Sequence, residues 1–248
     1  MFFRILGIFI NIRLVRQPGW LSHKSGIFSG KNPAKMQFFK EVVQKLKFLN
    51  NSIIAHSRGG LEARYLISTM NIDYAVASLT TISTPHYGVG AMNIIVELPI
   101  GFYKFVSFFV NIWFRILGDK NPDFFTSSRQ LSQKYSIQFN ERNHDRMGIY
   151  YQSYASMLKY FFSDLIFIIL HPLITFADGD NDGLCPVESA KWGDFKGVIT
   201  TQGIFGISHC GIIDLYRINY KGVNILDIYL NMAKELFKRG YKNSPYFA

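Results

Sequence analysis

The chain has 248 residues, 48% of them hydrophobic, with a formal net charge of +10 and two cysteines. That length allows one large α/β domain with a sizeable core, and two cysteines exclude a disulfide-built scaffold. There is no internal repeat or low-complexity tract, and no His/Cys clustering of the kind a zinc site needs.

The charge is unevenly placed. Residues 1–50 hold nine Lys and Arg against Glu41 alone, while the rest of the chain nearly balances. A basic face of this kind suits a solvated surface or attraction to anionic lipid; no nucleic-acid motif accompanies it, so no nucleic-acid partner is expected. The opening MFFRILGIFINIRLVR is apolar but interrupted by Arg4 and Arg13. Its uninterrupted run is too short to span a bilayer, and it lacks a small-residue cleavage site for a secretory signal. The expected location is therefore the cytoplasm or the membrane periphery. The segment reads as a displaced core strand near Ile5 to Leu14, or as a membrane-surface segment. Asn32-Pro33 then starts a helix whose Met36, Phe39, Val42, Val43, Leu46 and Leu49 form one apolar stripe.

Next comes the most informative stretch. The apolar pair Ile53-Ile54 leads into Ala55-His56-Ser57-Arg58-Gly59-Gly60, and Leu61 to Met70 reads as a helix. A strand, a tight turn with serine at its tip and a helix together hold a hydroxyl out of a sheet, where a base can reach it. Small flanking residues let the strand and helix backbones pass closely. Ala55 stands where such turns usually have their first glycine, and Gly59 keeps the second. Alone, this match is weak, because a Gly-rich turn before a helix is common.

Val76 to Ser83 reads as the following strand. Gly88 to Arg146 reads as an insertion whose centre, residues 100–118, is strongly apolar and aromatic but includes Lys104 and Arg115. These charges argue against a transmembrane span and suit a helix that covers the domain, either mobile or fixed. Tyr150 to Tyr154 adds extended structure. Pro172 to Phe176 reads as a further strand, followed by the acidic run Asp178, Asp180 and Asp182. Gly197 to Thr201 is a short strand before Gly206-Ile207-Ser208-His209-Cys210. Ile225, Ile228, Met232 and Leu236 mark a C-terminal helix, with Gly240 as its cap. The order serine, acid, histidine is that of the α/β-hydrolase triad, each member on a loop after a strand. In that arrangement His209 takes the proton of Ser57 and returns it to the leaving group, while the acid orients the imidazole.

The segments IIAHSRGGLEARYLIS, VASLTTISTPHYG, NPDFF, YYQSYASM, DNDGLCPVESAKWGDFKGV and GISHCGIIDL together resemble the bacterial triacylglycerol lipase and esterase family of α/β-hydrolases. The resemblance runs from about Ser52 to the C-terminus. It implies a mostly parallel sheet flanked by helices, in a single domain over 1–248 with 88–146 as a lid or cap insertion. It also implies Ser57 as nucleophile, Asp182 as acid and His209 as base, with Asp178 and Asp180 as competing acids. The implied reaction is cleavage of lipid or small carboxylic esters through an acyl-enzyme, with peripheral lipid-interface contact, and without cofactor or metal. His56 is expected to pack beside the turn and His86 to be structural, while His23, His144 and His171 match no motif. Cys185 and Cys210 read as unpaired thiols, with a bridge between them as the alternative.

The resemblance fails before Ser52. Only fifty-six residues precede Ser57, where such folds use on the order of a hundred. None of them forms a His-Gly oxyanion loop. The backbone N–H of Arg58 remains as one oxyanion donor, and the second has no visible source. Incomplete N-terminal strands are expected, leaving either an irregular sheet edge beside Ser52–His56 or the segment near Ile5 to Leu14 in that place. The alternative function is a weakly active or non-catalytic, membrane-associating hydrolase remnant without a full oxyanion hole.

Overall fold

In the computed structural model, the described residues are 12–15, 51–69, 76–116 and 122–240. They form a five-stranded sheet of β1 (Ile12–Val15), β2 (Asn51–His56), β3 (Val76–Ile82), β4 (Tyr150–Ser156) and β5 (Asp194–Ile199), in that order and parallel throughout. Parallel neighbours need long crossovers, so all the strands point one way and their C-terminal ends open onto one edge. β1 fills the place beside β2, with Ile12 opposite Ser52 and Val15 opposite Ala55. That is the second of the two arrangements expected for the N-terminus. The helix anticipated from Asn32-Pro33 lies outside the described residues.

Helices cover both faces of the sheet, and the alternation along β2 decides what each face meets. Ile53 and Ala55 pack with Leu79 and Val76 against Ala63, Leu66 and Ile67 of α1 (Arg58–Thr69). Ile54 points the other way, joining Ile82, Ile207, Ile212, Ile225 and Met232. The last two belong to the C-terminal helix, Ile225–Lys238, which Gly240 terminates at φ +92° with its N–H on the carbonyl of Phe237. β3 is buried on both faces along its whole length, and its three hydroxyls are paired there: Ser78 with Ser52, Thr80 with Gln152 and Thr81 with His86.

Between β3 and β4 the chain is helical: α2 (Gly90–Glu97), α3 (Ile100–Ile116), α4 (Phe124–Gln130) and α5 (Gln133–Arg142). Their core of Val89, Ala91, Met92, Ile95, Tyr103 and Phe124 includes Ile174 from α6 (Leu170–Asp178), the helix that precedes the acidic loop. The strand expected over Pro172 to Phe176 is therefore helix. Short apolar runs do not distinguish the two states by pattern. Here Leu170, Leu173 and Ile174 share one helical face towards this core, and Pro172 falls in the first turn, where its missing N–H costs no intrahelical bond.

One buried cation fastens the insertion to the sheet. Arg64 of α1, 2% exposed, donates to the Asn140 side chain at 2.7 Å and to the Asn143 carbonyl at 3.0 Å. Its guanidinium lies 3.5 Å from the centre of the Trp192 ring and 3.7 Å from Asp145. Burial pulls its pKa down to about 10 against the opposing charge of Asp145. The guanidinium can only donate, so its 3.4 Å contact makes His86 Nδ1 the acceptor and leaves Nε2–H to donate to Thr81 at 2.9 Å. Burial, with the Arg64 charge second, holds the His86 pKa well below its ordinary value. His86 is thus a neutral structural histidine, stacked on Trp192. Arg64→Met is expected to destabilise the fold by about 2–4 kcal/mol, since it removes several charge-assisted bonds and a cation–π contact. A urea midpoint unchanged from the parent would show that this strut contributes nothing.

Candidate active site

Ser57 sits between the end of β2 and the start of α1 with φ +55°, left-handed for a residue that carries a Cβ. Such a conformation costs of order 1–3 kcal/mol and persists only where the surroundings hold it. Here the Ser57 N–H donates to the Ile82 carbonyl at 2.9 Å. Its carbonyl accepts from the Gly60 N–H at 3.0 Å and from the Thr84 hydroxyl at 2.8 Å. The end of β3 therefore clamps the turn, and Thr84 lies so close to Gly60 that a Cβ there would collide with it. Arg58 opens α1, so its backbone N–H is among those in the first turn without an intrahelical acceptor. Its side chain lies 3.5 Å from Glu62.

The structure brings the three sequence-predicted side chains together. His209 Nε2 lies 2.8 Å from Ser57 Oγ, and His209 Nδ1 lies 2.9 Å from Asp182 Oδ2. Asp182 and His209 are 0% and 2% exposed. Because the carboxylate accepts only, the proton on Nδ1 faces Asp182 and the lone pair on Nε2 faces Ser57. Burial opposes the charge on Asp182, but the nearby His209 and several hydrogen bonds outweigh it and lower its pKa. The competing acids have other positions. Asp178 accepts from the N–H groups of Gly90 and Ala91 at 2.8 and 3.0 Å, capping α2. Asp180 is exposed.

Backbone pairing fixes the two loops relative to each other. The residues after β4 serve both: Leu158 N–H donates to the Asn181 carbonyl at 2.9 Å, and Ile207 N–H to the Met157 carbonyl at 2.8 Å. His209 N–H then donates to the Asp182 carbonyl at 2.8 Å. Sequence reading missed Asn181, which is fully buried. Its side chain spans Gly179, Thr175 and the Gly183 N–H, shaping the turn that presents Asp182. The available signal was the Asn-Asp-Gly run, read only as acid plus turn.

His56 packs its ring 4.4 Å from that of His209, beside the turn as expected. Cys185 and Cys210 are both buried and form no disulfide, and burial with the Asp182 charge pushes the Cys185 thiol well up, so it stays neutral. The loop that follows β1, from which a second oxyanion donor was sought, lies outside the described residues. Among the described residues, no group of three or more His, Cys, Asp or Glu could hold a metal ion, and no helix is long and apolar enough to cross a membrane.

This geometry has relatives. Over 218 residues the chain is 28% identical to triacylglycerol lipase 2 of Saccharomyces cerevisiae, covering 82% of this chain and 61% of that protein. Among solved structures, it superposes on a metagenomic carboxyl esterase, MGS0156, with a TM-score of 0.54 at 15% identity, covering 78% of this chain and 54% of that one. The mature lipase BlEst2 of Bacillus licheniformis gives a TM-score of 0.51 at 18% identity, covering 73% and 66%. The chain is lipase- and esterase-like, on an α/β-hydrolase fold. No family model matches it, and it spans about three-fifths of the length of the curated relative it matches. The resemblance seen in the motifs from Ser52 onward is thus joined by a likeness to lipases and esterases over most of the chain, while the identity to the solved structures is low enough that they speak for the fold alone.

Proposed function

We propose that this protein is a serine hydrolase of carboxylic esters, acting on acyl glycerols. The observation that carries this reading is the continuous line Ser57–His209–Asp182, at 2.8 and 2.9 Å, on a turn held at positive φ. Ser57 Oγ attacks the ester carbonyl as its proton moves to His209 Nε2. The tetrahedral oxyanion takes the Arg58 N–H as one donor. Its C–O bond to the alcohol breaks, His209 protonates the departing alkoxide, and an acyl-enzyme remains. Water, deprotonated by His209, then releases the acid and restores Ser57. Asp182 keeps its charge and the imidazole orientation throughout. None of these steps calls for a cofactor.

The test is labelling with a fluorophosphonate, located by mass spectrometry, together with hydrolysis of a series of nitrophenyl esters. Modification confined to Ser57 supports the reading; modification elsewhere overturns it. A parent protein that binds anionic vesicles yet neither labels nor turns over would support the non-catalytic alternative instead.

Lipid contact belongs to the same proposal. α3 turns Tyr103 and Ser107 inward and leaves Phe102, Phe105, Phe108 and Phe109 each more than half exposed. An aromatic face of this kind in water suits a cover that meets a lipid surface. Phe105→Asp with Phe108→Asp is expected to cut the rate on emulsified triacylglycerol by about tenfold or more, from lost apolar area, while a water-soluble butyrate ester keeps most of its rate. Equal losses on both substrates would remove the lipid-contact role from this face.

A further inference from the structure

Behind the acid lies a pair of serines with no part in the chemistry above. Ser156, the last residue of β4, donates its hydroxyl to Asp182 Oδ2 at 2.9 Å. Ser83, the residue after β3, has its Oγ 2.8 Å from that of Ser156 and accepts the Ser156 backbone N–H at 3.1 Å. Both are 1% exposed. The proton positions follow from counting. A carboxylate only accepts, so the single Ser156 hydroxyl proton faces Asp182. The short contact between the two serines must then be supplied by the Ser83 proton. A one-way chain results, from Ser83 to Ser156 to Asp182.

The chain is held at its far end. Ser83 has φ +47°, a conformation a serine keeps only where its surroundings hold it, and its N–H donates to the Tyr154 carbonyl at 2.8 Å. β3 and β4, neighbours in the sheet, thereby fix both hydroxyls. At the near end, each carboxylate oxygen has two donors. Oδ1 accepts from the N–H groups of Leu184 and Cys185 at 3.1 and 2.7 Å; Oδ2 accepts from Ser156 and His209 at 2.9 Å each. Turning the carboxyl about its Cβ–Cγ bond would break this set. The titratable neighbours are few: the Cys185 thiol beside Asp182, His171 within its field, and the His56 ring against His209.

We propose that Ser156, oriented by Ser83, is a positioning residue that holds Asp182 Oδ2 on the axis of His209 and keeps the acid ionised; this rests on the hydrolase reading above. Ser83 orients Ser156, and its own hydroxyl, beside Asp182, also favours the charged acid.

The decisive measurement needs no turnover. In protein carrying ¹³C at the aspartate carboxyls, Ser156→Ala should raise the pH at which Asp182 protonates by about half a unit or more, because one donor to its charged form is lost. Ser83→Ala should move it the same way by less. In ester hydrolysis, Ser156→Ala should lower kcat by about tenfold with KM unchanged. Ser156→Thr, which keeps the hydroxyl, should restore both kcat and the Asp182 titration. An unmoved Asp182 titration in Ser156→Ala would overturn the proposal. If Ser57 fails to label while the Asp182 titration still moves, the hydrolase reading falls and the link from serine to carboxylate stands. If Ser57 labels and the titration does not move, the link alone falls.

Discussion

Ser57→Ala is expected to abolish fluorophosphonate labelling and to lower ester turnover by about 10⁶-fold, with His209→Ala losing nearly as much. The two side chains act as one unit. Without Oγ there is no atom to take the acyl group, and without the imidazole the hydroxyl keeps its proton. The double variant should therefore be no worse than either single one. Losses that multiply would mean that Ser57 and His209 act in separate steps, against their 2.8 Å contact. The fold should survive, since Ser57 keeps its turn through its backbone N–H and carbonyl. Circular dichroism matching the parent is the control. Full labelling of Ser57→Ala would move the nucleophile elsewhere and end the assignment.

Asp182→Asn is expected to lower turnover by about 10⁴-fold while leaving the protein folded. The argument is one of proton positions. An asparagine has one oxygen, and the Leu184 and Cys185 N–H groups, which only donate, require it on their side. Its NH₂ must then face His209 and Ser156. A donor against Nδ1 makes that nitrogen an acceptor and transfers the ring proton to Nε2, the atom that has to receive the proton of Ser57. The Asp180→Asn variant changes an exposed side chain and should keep parental turnover. Should Asp180→Asn cost more than Asp182→Asn, the choice of acid would be wrong.

The candidate site was legible in the sequence because its chemistry needs particular residue types at particular places. A serine between a short apolar strand and a helix, an acid in an Asn-Asp-Gly turn and a histidine after a further strand follow one another in the order the α/β-hydrolase fold uses. The parallel sheet followed from alternating strands and helices. Among the described residues, the misread element is Pro172 to Phe176, a short apolar run whose state depends on what it packs against; Ile174 found the core of the helical insertion, so the run is helix.

Other features were beyond any reading of the sequence because they join residues far apart in it. The resemblance pointed to Asp182, but the sequence did not show that Asp178, Asp180 and Asp182 have three different surroundings: the N-terminus of α2, open solvent and the His209 ring. The role of Arg64 depends on Trp192 and Asn140, more than seventy positions away, and the serine chain on β3 lying beside β4. The chain's own residues thus determined which groups could do chemistry and in what order they occur. Tertiary structure decided which of them meet, because hydrogen-bond partners are chosen by distance and burial, and neither is written in sequence separation.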